Sequence, residues 1–167
     1  AESDSLLLKL TVQDSVGFSK DSLVWAKFAS SNRKPEKLSV QINSGRSPVE
    51  DISDVQLRTA ISKGLYQATT DFSLASRASV ITICVPTPLD DKREPDITLL
   101  RNAATAVAPF IANATLIVSE STSYPGTLRD VIIPIVNRNK PAEAVTIYFA
   151  SAPERVNPGD PVWNQKN

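Results

Sequence analysis

The sequence predicts an α/β fold in which a parallel sheet carries helices on both faces. Three observations lead there. Short apolar runs rich in β-branched residues recur at 79–85 ("SVITICV"), 114–119 ("ATLIVS") and 144–150 ("AVTIYFA"). Each has the length of a buried strand. Stretches of helical period lie between them, and alternation of strand and helix implies parallel strands joined by right-handed crossovers.

The elements follow in order. Residues 5–16 read as a helix. "LVWAKFA" at 23–29 reads as a strand, and "PEKLSVQIN" at 35–43 as a short helix with Pro35 in its first turn. "SDVQLRTAISKG" at 53–64 is a helix closed by Gly64. "YQATT" at 66–70 is a short strand, followed by a short helix over "DFSLASR". In "DITLLRNAATAVAPFI", 96–111, Ile97, Leu100, Ala104, Val107 and Ala108 recur at helical spacing. Asp96 is a good N-cap for this helix, and Pro109 breaks it near its end. "TLRDVIIPIVNRN" at 127–139 predicts a second crossover helix, with Thr127 as N-cap and a kink at Pro134. Residues 1–167 read as a single domain, with no internal repeat and no linker.

Composition narrows the chemistry. Of 167 residues, 41% are hydrophobic and 22% charged, which is globular. Lysine plus arginine equals aspartate plus glutamate, 18 each. Zero net charge gives no general electrostatic hold on nucleic acid or an anionic membrane. No apolar run reaches the length of a membrane span, and neither a signal peptide nor a starting methionine opens the chain. The expectation is a cytoplasmic protein, processed or a piece of a longer one. There is no histidine, so general acid–base work falls to carboxylates, hydroxyls, lysine or a cofactor. Cys84 is the single cysteine, which leaves no intrachain disulfide and no thiolate metal cluster.

Ligands of a parallel sheet bind outside the carboxyl ends of its strands. Three polar loops fall there: "PTPLDDKREPD" after 79–85, "ESTSYPGT" after 114–119 and "SAPERVNPG" after 144–150. Any one of them alone is better read as a proline-stiffened turn, a helix cap or a solvated loop. All three on one edge, each dense in hydrogen-bonding groups, point to a site.

The same residues carry a resemblance. "CVPTPLDDKREPD", "SESTSYPGT" and "APERVNPG", in this order and spacing, resemble the UDP-glucose/GDP-mannose dehydrogenase family, above all its branch acting on UDP-N-acetylhexosamines. "NSGRSPVEDI" at 43–52 and "ATTDF" at 68–72 fit as well. The resemblance implies a Rossmann-like NAD-binding domain of an enzyme that oxidises the C6 alcohol of a UDP-sugar to the carboxylate. It implies that Pro86, Thr87, Glu120 and Ser121 lie at the cofactor. Thr122 would hold a water or the reacting oxygen, and Glu154 would handle protons or water. Arg155, Val156 and Asn157 would meet the sugar nucleotide. A UDP-sugar is the implied partner, with a homo-oligomer as a further expectation.

The sequence departs from the family at its start. The glycines are Gly17, Gly45, Gly64, Gly126 and Gly159, and none forms a G-x-G-x-x-G turn. Those glycines let backbone approach a pyrophosphate at a helix N-terminus. The first strand and its glycine-rich turn are therefore missing or divergent. Ala29, Ser30 and Ser31 stand where a ribose-binding acid is expected. These departures predict weak NAD binding and little turnover by the isolated chain. They leave a second reading beside the dehydrogenase domain, a non-catalytic Rossmann-like domain kept for binding or assembly. A third is that residues 1–34 are not the native chain, which an intact-mass measurement tests.

Overall fold

The computed structural model describes residues 6–13, 19–26, 35–48, 52–144 and 146–153. Six strands form one sheet: β1 (Leu6–Gln13), β2 (Ser19–Ala26), β3 (Tyr66–Thr69), β4 (Val80–Cys84), β5 (Thr115–Ser119) and β6 (Ile147–Ser151). Their spatial order is β3-β1-β2-β4-β5-β6. The run β2, β4, β5, β6 is parallel, as the alternating pattern predicts.

The amino-terminal expectation needs correction. Residues 6–13 form a strand, antiparallel to both β2 and β3, where a helix was expected. Leu8, Leu10 and Val12 alternate with Lys9, Thr11 and Gln13, a period of two that suits a strand. The second strand spans 19–26, ending before the predicted 29. A connection over 14–18 is far too short for a crossover helix, and short connections join antiparallel strands. In the doubly wound order 3-2-1-4-5-6 the first strand borders the fourth. Here β2 takes that place, β1 takes the next, and the first two strands are thereby exchanged.

The helices are α1 (Pro35–Asn43), α2 (Asp54–Ser62), α3 (Thr98–Val107) and α4 (Ile133–Asn139). α2 begins with a capping box: the Ser53 hydroxyl accepts from the Gln56 amide at 3.3 Å, and the Ser53 amide donates to Gln56 Oε1 at 2.9 Å. It ends at Gly64, whose φ of +68° is the left-handed turn the sequence predicts. Asp96 is not the N-cap the sequence predicts: Ile97 takes that position, and Asp96, one residue outside, accepts from the Thr98 amide at 2.8 Å. Pro109 falls in a short 3-10 turn, Ala108–Phe110, where α3 stops. "DFSLASR" likewise gives a 3-10 turn, Phe72–Arg77.

The predicted helix at 127–139 is divided. Leu128–Ile132 winds as a π-turn, and α4 starts at Ile133. This places Pro134 in the first turn of a new α-helix, where a missing N–H leaves no bond unmade. Thr127 does not cap it. Its hydroxyl donates to the Tyr124 carbonyl at 2.7 Å.

Helices cover both faces of the sheet. On one, Ile81, Ile83 and Ile117 pack with Leu100, Val107, Ile132 and Val136 from α3, the π-turn and α4. The register Ala68–Leu8–Val24–Thr82–Val118 defines the other face. There Ala68 packs with Leu38 and Ile42 of α1 and Leu57 of α2. The side-chain amide of Asn43, at the end of α1, donates to the Ala68 carbonyl at 2.8 Å and accepts from its N–H at 2.9 Å.

Candidate functional site

The carboxyl ends of β4 and β5 lie side by side, with Ile83 opposite Ser119. Continuing that register one step sets Cys84 beside Glu120. The Cys84 thiol donates to Glu120 Oε2 at 2.7 Å. Cys84 is half-buried at the strand end.

Beyond this pair the chains part into two loops. Ser121 is 8% exposed. Its hydroxyl accepts from the Val85 amide at 2.8 Å and donates to the Ile83 carbonyl at 3.3 Å. The same carbonyl accepts from the Glu120 amide at 3.0 Å and the Ser121 amide at 3.3 Å. One step further out, the Thr87 hydroxyl donates to the Thr122 carbonyl. Thr122 itself is exposed, and Pro86 and Thr87 are half-buried beside it. The structure therefore brings Pro86, Thr87, Glu120, Ser121 and Thr122 to one edge.

Two turns frame this edge. In "LDDKREPD", Asp90 Oδ1 accepts from the Lys92 and Glu94 amides, both at 2.8 Å, and Leu89 bridges Pro95. Arg93 takes a φ of +64° to close that turn. In "SYPGT", Gly126 takes a φ of +92° and leads into the π-turn. The third loop leaves β6 at the same edge, because the Ala152 amide donates to the Ser119 carbonyl at 2.9 Å. Glu154, Arg155, Val156 and Asn157 lie outside the described residues. Sequence reasoning passed over Cys84 as a partner of Glu120, although each directly follows a paired strand residue. That shared position is the signal.

The family model for the UDP-glucose/GDP-mannose dehydrogenase family, NAD binding domain, matches residues 34–167. The chain belongs to this family. UDP-glucose/GDP-mannose dehydrogenases are oxidoreductases, and the matched part is their NAD-binding domain. The chain is 35% identical over 130 residues to the NDP-N-acetyl-D-galactosaminuronic acid dehydrogenase of Ralstonia nicotianae, covering 71% of this chain and 29% of that protein. It is 33% identical over 136 residues to the UDP-N-acetyl-D-mannosamine dehydrogenase of Methanocaldococcus jannaschii, covering 73% and 29%. Among solved structures, the UDP-D-ManNAc dehydrogenase of Pyrococcus horikoshii superposes with a TM-score of 0.66 at 32% identity, over 81% of this chain and 31% of that one. The chain thus spans under a third of these relatives.

NAD makes two demands on such a domain, and this structure treats them differently. At the β4–β5 edge, hydroxyls, carbonyls and a carboxylate stand at strand ends, a donor set that suits a polar ring and its substrate. The pyrophosphate needs close backbone approach at a helix N-terminus after the first strand. Here the first two strands form an antiparallel pair. Residues 27–34, "KFASSNRK", which follow β2, contain no glycine. The residues at the β4–β5 edge fit the first demand. Among the described residues, no group of three His, Cys, Asp or Glu could hold a metal, and no helix is long and apolar enough to cross a membrane.

Proposed function

We propose that residues 1–167 form one Rossmann-like domain, the cofactor domain of an NAD-dependent UDP-N-acetylhexosamine 6-dehydrogenase. The edge that joins Thr87 to Thr122, in a chain of this family, is the observation that carries the proposal. Taking the sugar C6 alcohol to the carboxylate removes two hydrides, which two NAD molecules would accept in turn, with water supplying the second oxygen. Pro86, Thr87, Glu120 and Ser121 form the wall of the cofactor cleft. The exposed Thr122 hydroxyl orients a water or the reacting oxygen. Glu154, which the family resemblance places here, is the proton-handling carboxylate, a role a carboxylate can fill. Arg155, Val156 and Asn157 meet the sugar nucleotide, and the full-length protein forms a homo-oligomer in the cytoplasm.

The isolated chain binds NAD weakly and turns over little. The first two strands offer no glycine-rich turn to a pyrophosphate. Carrying an alcohol to a carboxylate through a thiohemiacetal needs a reactive thiol, and the single cysteine of these residues is half-buried at a strand end, its thiol hydrogen-bonded to Glu120. Titration calorimetry of this chain with NAD tests the binding: micromolar affinity contradicts the proposal.

The decisive experiment supplies the full-length protein with NAD and UDP-N-acetylglucosamine, UDP-N-acetylmannosamine or UDP-N-acetylgalactosamine. Expected is release of NADH with formation of the sugar carboxylate. Glu154→Gln lowers kcat about 10²–10⁴-fold, the usual contribution of a positioned acid–base group, without changing thermal stability. Failure of every UDP-sugar to yield NADH favours the second reading, a non-catalytic Rossmann-like domain for binding or assembly. The divergent first two strands are what speak for it.

A further inference from the structure

We infer that the Ser121 side chain is a positioning group. Within the cleft wall it joins the ends of β4 and β5 and fixes where Thr122 stands, its hydroxyl being spent on that join and not on the cofactor. This rests on the reading of the β4–β5 edge as the cofactor and substrate wall.

The backbone register explains why a side chain is needed. The β4–β5 ladder ends at Ile83 opposite Ser119, and β5 then turns away. A strand that continued would offer a backbone carbonyl to the Val85 N–H. In its place the Ser121 oxygen accepts that hydrogen bond at 2.8 Å. Its proton goes back to the Ile83 carbonyl at 3.3 Å. A hydroxyl has one proton to give, and this one is given. At 8% exposure the residue also presents little surface to a ligand. Ser121 thus substitutes for the next rung of the ladder. It lets the main chain of Glu120–Thr122 leave the sheet while remaining tied to it.

The consequence falls on the next residue. Thr122 is exposed and is held on its other side through its carbonyl, by the Thr87 hydroxyl. Ser121 to Val85 and Thr87 to Thr122 are successive ties between the same two loops. Together they set the distance between Pro86–Thr87 and the Thr122 hydroxyl. A buried donor left without a partner costs more than the bond itself contributed, so loss of the Ser121 oxygen loosens both loops at once.

The test uses the full-length protein with Ser121→Ala, Ser121→Thr, Thr87→Val and the double variant Ser121→Ala/Thr87→Val. Two readouts are taken. Hydrogen–deuterium exchange of 83–87 and 120–124 reports the tie without any need for activity. Steady-state kinetics report its effect on the reaction. Expected for Ser121→Ala is faster exchange in both segments and a kcat lowered about 10-fold or more, the scale on which small displacements of reacting groups act. KM for the sugar nucleotide stays within about twofold. Ser121→Thr, which retains the hydroxyl, recovers most of both. The double variant loses less than the product of the single losses, because both ties hold the same loops. Three results overturn the inference. One is a raised KM for NAD with exchange and kcat unmoved, which is direct contact. Another is faster exchange with kcat intact, which is stability alone. The third is exchange accelerated in 83–87 only. Absence of turnover in the parent protein defeats the dehydrogenase reading but not the tie, which exchange in both segments still decides.

Discussion

Tyr66 shows how a single residue reports on its surroundings. Its ring packs beside Leu38, Ile42, Leu57 and Ala68 under α1 and α2. Burial raises its phenol from 10.0 to about 12, because phenolate there loses hydration. The folded state holds this proton more tightly than the unfolded chain. Its contribution to stability is therefore complete below pH 10 and is lost as pH rises towards about 12. Tyr66→Phe is expected to flatten the fall of stability across that window, measured by urea unfolding at successive pH values. In an absorbance titration the same variant loses the component that ionises near pH 12. At this scale the sequence showed residue types but not their partners. Glu120 and Ser121 stood out as polar groups after a strand. That one meets a thiol and the other a buried amide depends on strand register, which a single strand's sequence does not contain.

Elements were more legible, and where they were not, a local rule had been overridden. α1, α2 and α3 fall where their periodicity predicts, and the start and stop signals of α2 are met by its capping box and Gly64. Residues 6–13 went the other way: clustered leucines suit a helix, but Leu8-Lys9-Leu10-Thr11-Val12-Gln13 alternates, and pairing on both edges favours the strand. Around Pro134 the composition read as one kinked helix, and the chain instead placed a π-turn ahead of the proline. Removal of a cap tests the element scale. Ser53→Ala takes the hydroxyl from the capping box of α2 and is expected to destabilise the protein by about 1 kcal/mol. Chemical denaturation measures this as a lower midpoint with an unchanged slope. Ser53→Asp, which keeps an acceptor near the helix start, recovers most of the loss.

For the whole molecule, alternation predicted the parallel run β2, β4, β5, β6 and helices on both faces. The exchange of the first two strands was not readable from the loops that carry the family resemblance, since those loops begin only after α1. The larger apolar cluster holds the carboxyl-terminal half together, and Ile117 lies at its centre with no exposed surface. Ile117→Ala is expected to cost about 2–5 kcal/mol, transfer free energy plus a residual cavity, read as a lower denaturant midpoint. The same truncation at exposed Val40 is expected to change stability by about 0.5 kcal/mol or less.

The amide of Asn43 has a consequence for association between chains. β3 ends the sheet, and an outer strand with free N–H and C=O groups is a template on which another chain can add a strand. One asparagine side chain fills both groups of Ala68 in the way a neighbouring peptide would. It works as a one-residue stopper on the sheet's open side. Asn43→Ala uncovers that rung, and the expected outcome is concentration-dependent light scattering and thioflavin fluorescence on warming, at temperatures where the parent protein stays clear. Asn43→Asp retains the acceptor and adds a charge that repels a second copy, so it is expected to scatter less than the alanine variant even if it unfolds at a similar temperature.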